Sequence, residues 1–188
     1  LGGQFSVLLG ALGAAVFLLR GVRAPGVHGL RRPAGVDWCF VLPFALVGAL
    51  AGGVWIPAVH GASTLRWTEP LGVLALPLAA EVIFRGLFHG GLVTRFRMQR
   101  CGGPWFLSWP AIVSAVLYAL WGALLQLPSI ALARAMPWGT SAWPPLLGAV
   151  VFGAAAGMAR ERSGSIVPPI LLHWFCVAAV LLAYARLA

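Results

Sequence analysis

Ala80-Glu81-Val82-Ile83-Phe84-Arg85-Gly86 lies in the middle of an apolar run, Pro70–Val93, close to the roughly 20 residues a helix needs to cross a bilayer core. A carboxylate and a guanidinium inside such a run are expensive to hold there. Each needs a partner or a water-filled cavity, and an ionisable residue at that depth marks a candidate functional site. Outward from this stretch the same alternation of apolar run and short Arg-bearing loop repeats. Candidate spans run roughly Phe5–Leu19, Trp38–His60, Pro70–Val93, Pro104–Leu127, Trp143–Ala159 and Ser165–Ala185. The pattern predicts an all-α, polytopic transmembrane bundle of about six spans, with residues 1–188 forming one membrane-embedded domain. No charged region precedes the first run and no small-residue cleavage site follows it, so a cleaved signal peptide is not expected.

Composition points the same way. The 188 residues are 61% hydrophobic and only 9% charged, more apolar surface than a soluble domain of this size can hide. All thirteen basic residues are Arg, against four acids, Asp37, Glu69, Glu81 and Glu161. A net charge of +9 would suit nucleic acid, but these arginines sit in short loops, which reads as topology and argues against a nucleic-acid partner. With the amino terminus outside, the inner loops hold Arg20, Arg23, Arg31, Arg32, Arg95, Arg97, Arg100, Arg160 and Arg162, and the outer side only Arg66, Arg134 and Arg186. That is a positive-inside bias. The Trp-, Pro- and Ser-rich region Pro128–Pro145 reads as an interfacial loop with Trp138 and Trp143 at headgroup level. An Arg-only, Ala/Gly/Trp-rich composition suggests a GC-rich coding sequence, hence a multi-pass protein of a bacterial inner membrane.

The chemistry rests on a few polar side chains. Glu81, Arg85 and His89 are spaced four apart, so on an α-helix they share one face over two turns. Glu81 and Arg85 can form an intrahelical ion pair, either as part of a reactive site or simply as a neutralised packing pin. His89 lies near the inner end of its run, as an interfacial residue or a site member. His173 sits about ten residues into the last run, where an imidazole needs either a site or a structural hydrogen bond. Gly148, Gly153, Ala156 and Gly157 predict close helix packing. Pro77 precedes Glu81 by a turn and Pro168-Pro169 precede His173 by a turn, so kinks are expected beside both polar clusters. Cys39, Cys101 and Cys176 form no CxxC pair and read as structural.

These motifs resemble the CPBP intramembrane protease family, which includes the type II CAAX prenyl endopeptidases. Ala80-Glu81-Val82-Ile83-Phe84-Arg85-Gly86 looks like its first motif, two adjacent glutamates, three residues, then Arg. The segment Val151–His173, with its Gly-rich helix, Glu161-Arg162-Ser163-Gly164-Ser165 turn and Pro169-Ile170-Leu171-Leu172-His173, is similar to the region leading into the third motif. The likeness covers roughly residues 70–185. The chain departs from it in three places: Ala80 stands for the first glutamate, Gly122 for the histidine of the second motif, and Val177 for the asparagine of the third. Tyr118 occupies the Phe position of the second motif.

The resemblance implies an intramembrane endopeptidase that cleaves a membrane-anchored protein or peptide with activated water, using Glu81, His173 and Arg85, with His89 and Tyr118 in support. Glu81 serves as base if its helix is rotated or kinked toward a cavity, with His173 polarising the same water or donating to the oxyanion, and Arg85 orienting the carboxylate. A divalent metal such as zinc is left open: Glu81, His89 and His173 are three possible ligands, at a spacing looser than zinc sites favour. The alternative is a catalytically inactive relative that binds a transmembrane segment or partner protein. A solute channel or transporter is disfavoured, because no second set of broken polar helices mirrors the first.

Overall fold

The computed structural model describes residues 2–53, 70–96, 107–133 and 143–187. Among these residues every regular element is helical: α1 (Gly2–Arg23), α2 (Pro25–His28), α3 (Trp38–Gly53), α4 (Pro70–Glu81), a π-helical segment (Val82–Phe88), α5 (His89–Phe96), α6 (Trp109–Ala133), α7 (Trp143–Ser163) and α8 (Val167–Leu187). Helix α4, the π segment and α5 follow without a break and form one rod over residues 70–96.

The described parts of all six expected runs fall mainly on helices, yet among the described residues no helix is long and apolar enough by itself to cross a membrane. The rod shows one physical reason: it is divided into 12-, 7- and 8-residue pieces and carries buried charge. Helix α3 is described over only 16 residues, and the rest of its expected run, to His60, lies outside the described residues. Helix α6 continues past Pro128 to Ala133 and α7 begins at Trp143. The expected interfacial loop over Pro128–Pro145 is therefore largely helical at both ends, and Trp138 lies outside the described residues.

Helix α7 is central, packed against α3, α6 and α8. Its small residues are the reason. A Cβ added at Gly153 would stand 2.9 Å from the Ala115 Cα, one at Gly157 3.0 Å from the Ala111 Cβ, and one at Gly48 on α3 2.5 Å from the Phe152 backbone nitrogen. Such contacts bring helix axes close enough for backbones to touch, the small-residue packing the sequence predicts. Between α3, α7 and α8 lies a core of Val41, Ala45, Phe152, Ala156, Leu172 and Cys176. A second cluster joins Phe17 of α1, Val82 of the π segment, and Ile166 and Ile170 at the start of α8. Cys176 is buried as expected, but Cys39 is exposed on α3, correcting its structural-burial reading, and Cys101 lies outside the described residues.

The α7–α8 turn corrects the kink expected at Pro168-Pro169. Helix α8 starts at Val167, so both prolines occupy its first turn, where a missing N–H leaves no intrahelical bond unmade. They begin the helix instead of bending it. Ser165 Oγ accepts the Val167 N–H at 3.3 Å, a side-chain cap for an otherwise unpartnered donor. Gly164, at φ 67°, ends α7 in the left-handed conformation and donates its N–H to Arg160 O at 2.9 Å. The stretch after α2 then grips the turn: Arg31 Nε donates to Gly164 O (2.8 Å), Ala34 N–H to Ser163 O (2.9 Å) and Ile166 N–H to Gly29 O (3.1 Å).

Candidate active site

The site forms where the rod meets α6, α7 and α8. Glu81 is the last residue of α4 and Arg85 lies in the π segment; both side chains are fully buried. A π-helical stretch inside an α-helical rod is a costly local geometry that recurs at functional sites, because it re-aims side chains while keeping the backbone bonded. Here the carbonyls of the widened turn also collect side-chain donors. His28 Nδ1 donates to Gly86 O at 3.0 Å and Arg160 Nε to Arg85 O at 3.4 Å, while Arg160 Nη2 reaches Val27 O at 2.8 Å.

Glu81 and His173 meet. The His173 Nδ1 lies 2.8 Å from Glu81 Oε1, across 92 residues of sequence, joining the end of α4 to the first half of α8. Glu81 Oε2 lies 3.3 Å from Arg85 Nε, so both carboxylate oxygens face a cationic or donor group. With Glu81 as a carboxylate, Nδ1 carries the imidazole proton and Nε2 is left as the acceptor. The Tyr118 hydroxyl stands 3.4 Å from that Nε2. Arg85 is held from two further sides: Nη2 donates to Gly153 O at 2.8 Å, and the guanidinium carbon lies 4.8 Å from the Tyr118 ring centre. Tyr118 in turn packs edge-on to Phe84 and His173. His173 keeps 12% of its side chain exposed and Tyr118 is partly buried, against 0% exposure for Glu81 and Arg85.

Glu81, the base of the sequence reading, is fully buried, with Oε1 on His173 and Oε2 beside Arg85. His89 makes a separate contact. It is buried, not interfacial, and turns away from Glu81 to place Nε2 3.4 Å from Glu161 Oε1. Ser108, just before α6, donates its hydroxyl to the same Oε1. A zinc site built on Glu81, His89 and His173 does not fit this arrangement. Both nitrogens of His173 have protein partners, His89 belongs to another carboxylate, and among the described residues no three His, Cys, Asp or Glu side chains converge.

At the three positions where motif residues are replaced, the surroundings differ. Ala80 is half-buried beside Glu81, and Val177 is half-buried one turn beyond His173. Among the described residues a Cβ added at Gly122 meets nothing within 4 Å. The sequence reading missed His28, Ser108, Arg160 and Glu161 as neighbours of the site. Their only sequence signal was position: polar residues flanking apolar runs, which reads equally well as loop chemistry.

No curated protein and no solved structure matches this chain. A family model does, over residues 62–179, well over half of the 188, and the matched region contains Glu81, Arg85, Tyr118 and His173. The family is type II CAAX prenyl endopeptidase Rce1-like, an integral membrane protease family, and the chain belongs to it.

Proposed function

We propose that the protein is an intramembrane endopeptidase that hydrolyses a membrane-anchored protein or peptide, as a multi-pass protein of a bacterial inner membrane with about six spans. The observation that carries this reading is the 2.8 Å contact between Glu81 and His173 inside an otherwise apolar bundle. Large apolar side chains on the outside of the helices, Leu19, Leu120, Phe175 and Leu182 among them, support a bilayer setting. Residues 1–188 act as one membrane-embedded domain, with residues 70–185 as its catalytic core.

In this reading His173 is the base and Glu81 the residue that positions it. Glu81 fixes the Nδ1–H tautomer and leaves Nε2 as the acceptor of a part-exposed imidazole, which supports water activation there once the Tyr118 hydroxyl turns from Nε2 to the oxyanion. A water at Nε2 gives up a proton to the imidazole as its oxygen attacks the scissile carbonyl carbon. Glu81 stabilises the imidazolium, which returns the proton to the leaving amine. The Tyr118 hydroxyl, 3.4 Å from Nε2, is the nearby donor for the oxyanion. Arg85 pairs with the Glu81 carboxylate and, through Gly153 O, ties the rod to α7.

A second reading is a catalytically inactive relative that binds a transmembrane segment or partner protein. It is favoured by Ala80, Gly122 and Val177, and by a Glu81 whose two oxygens are both engaged. The protein in lipid vesicles with a membrane-anchored reporter peptide separates the two. An endopeptidase releases the reporter, and Glu81→Gln and His173→Gln each reduce release by roughly 10²–10⁴-fold while the helical content is unchanged. A wild-type protein that retains the reporter uncut, with the same retention in both variants, rejects the hydrolase.

A further inference from the structure

Hydrolysis consumes one water per bond cut, so a buried site needs a supply. Among the described residues, four buried side-chain atoms have no hydrogen-bond partner: Glu81 Oε2, Arg85 Nε, Arg85 Nη1 and His89 Nδ1. Glu81 Oε2 and Arg85 Nε are 3.3 Å apart, but without the alignment of a hydrogen bond. Native proteins leave few such atoms, and those they leave are normally met by internal water, each molecule binding about three polar groups. Here all four fall on three residues spaced four apart along one rod, from the centre of the site to its inner end. The line stops at a carboxylate that touches the surface: Glu161, 8% exposed, receives both Ser108 Oγ and His89 Nε2 on its Oε1.

We infer that Glu81, Arg85 and His89 line an internal water path that runs down the π-helical rod and opens at His89, Glu161 and Ser108. The path rests on the peptidase reading for its purpose but not for its existence. His89 is held by Glu161 so that Nδ1 points its lone pair into the path, as a positioning residue for water and not a group that touches substrate. Arg85 is the middle station: Nη2 is anchored on Gly153 O, and Nε and Nη1 are donors to water. The path meets Glu81 at Oε2, whereas His173 is held on Oε1 and keeps 12% of its side chain exposed, so water enters from the inner end while substrate reaches the imidazole.

Water-edited solid-state NMR tests this on the full chain, ¹⁵N-labelled at Arg and His, in vesicles of deuterated lipid. Magnetisation should pass from water to the Arg85 guanidinium and the His89 imidazole in the wild type, and the Arg85 signal should be lost in His89→Leu. Glu161→Leu, at a part-exposed and less demanding position, should weaken it in the same way and serves if His89→Leu does not fold. Absence of transfer to Arg85 in the wild type overturns the path, and transfer that survives both variants overturns its inner mouth. The measurement needs no turnover. A protein that shows the transfer yet never cuts the reporter keeps the path and loses the peptidase.

Discussion

The chain holds two acid–imidazole pairs at different depths, and they are built to opposite specifications. Glu81–His173 is central and direct, 2.8 Å, with the carboxylate fully buried and both its oxygens engaged. Glu161–His89 is longer, 3.4 Å, with a part-exposed carboxylate that concentrates its partners on one oxygen. Burying a charge is tolerable only when it is paired and hydrogen-bonded. The inner pair can shed part of its charge into solvent, whereas the central pair has no such outlet and depends on Arg85. The lesson is that identical chemical groups are structural or reactive according to what their second atoms do. Glu81 is fully buried, gives Oε1 to His173 and orients it; His173, its partner, keeps 12% of its side chain exposed.

The largest expected effect comes from breaking the support of the central pair. Arg85→Leu removes the contact to Glu81 Oε2, the bond to Gly153 O and the charge over Tyr118. It leaves Glu81 buried and uncompensated, which should lower stability by about 3–5 kcal/mol. Glu161→Gln keeps a hydrogen-bonding oxygen beside Ser108 and His89 at a part-exposed position, so it should shift stability by about 1 kcal/mol or less. Reversible unfolding of both variants in detergent micelles reads the difference directly. Equal losses would show that depth does not separate the pairs.

That asymmetry also explains what could be read from sequence. Glu81, Arg85 and His173 stand out because each interrupts an apolar run, and their cost in hydrocarbon is visible without coordinates. The positions of the helices follow from the same runs, and the small residues of α7 predict its close contacts. The π segment leaves no such mark, since widening one turn changes neither composition nor hydropathy. Its consequence is large all the same: Arg85 stays with Glu81, but His89 is carried to Glu161, and the shared face of three residues expected from α-helical spacing becomes two sites. Ser108, Arg160 and His28 were illegible for a second reason. They lie at run ends, where a polar residue is unremarkable, and their partners in other elements are 53 to 133 residues away along the chain. Pro168-Pro169 misled because a proline kinks a helix only from its interior, and the start of α8 is set by Gly164 and Ser165.

An intermediate effect sharpens the central pair. Tyr118→Phe restores the residue type that the resemblance places there and removes only the hydroxyl facing His173 Nε2. The ring that meets Arg85 and Phe84 is kept. At 3.4 Å the lost bond is a long one, so stability should fall by about 0.5–1.5 kcal/mol. The more informative readout is the tautomer of His173. Glu81 alone should still hold the proton on Nδ1, and ¹⁵N imidazole shifts that remain those of the Nδ1–H form would show that Tyr118 is a donor to the site and not the group that orients the ring. A switch to the other form would transfer the orienting role from Glu81 to Tyr118.

The smallest effect is expected at Gly122, one turn beyond Tyr118 on α6, and it bears on why the second motif is incomplete. Among the described residues a Cβ there meets nothing within 4 Å, in contrast to Gly153, where it would lie 2.9 Å from the Ala115 backbone and 3.1 Å from Arg85 Nη2. Packing therefore demands glycine at 153 but not at 122. Gly122→His should change stability by no more than about 1 kcal/mol, since it adds helix propensity and buries little. Gly153→Ala should cost about 1–3 kcal/mol through overpacking and through displacement of the Arg85 guanidinium. Thermal unfolding of the two variants side by side checks the ordering. If Gly122→His is as damaging as Gly153→Ala, the glycine is structural and the motif was given up to preserve the fold. If it is silent, the fold has kept room for an imidazole that the chemistry of this chain does without, which leaves Tyr118 as the polar group that α6 contributes to the site.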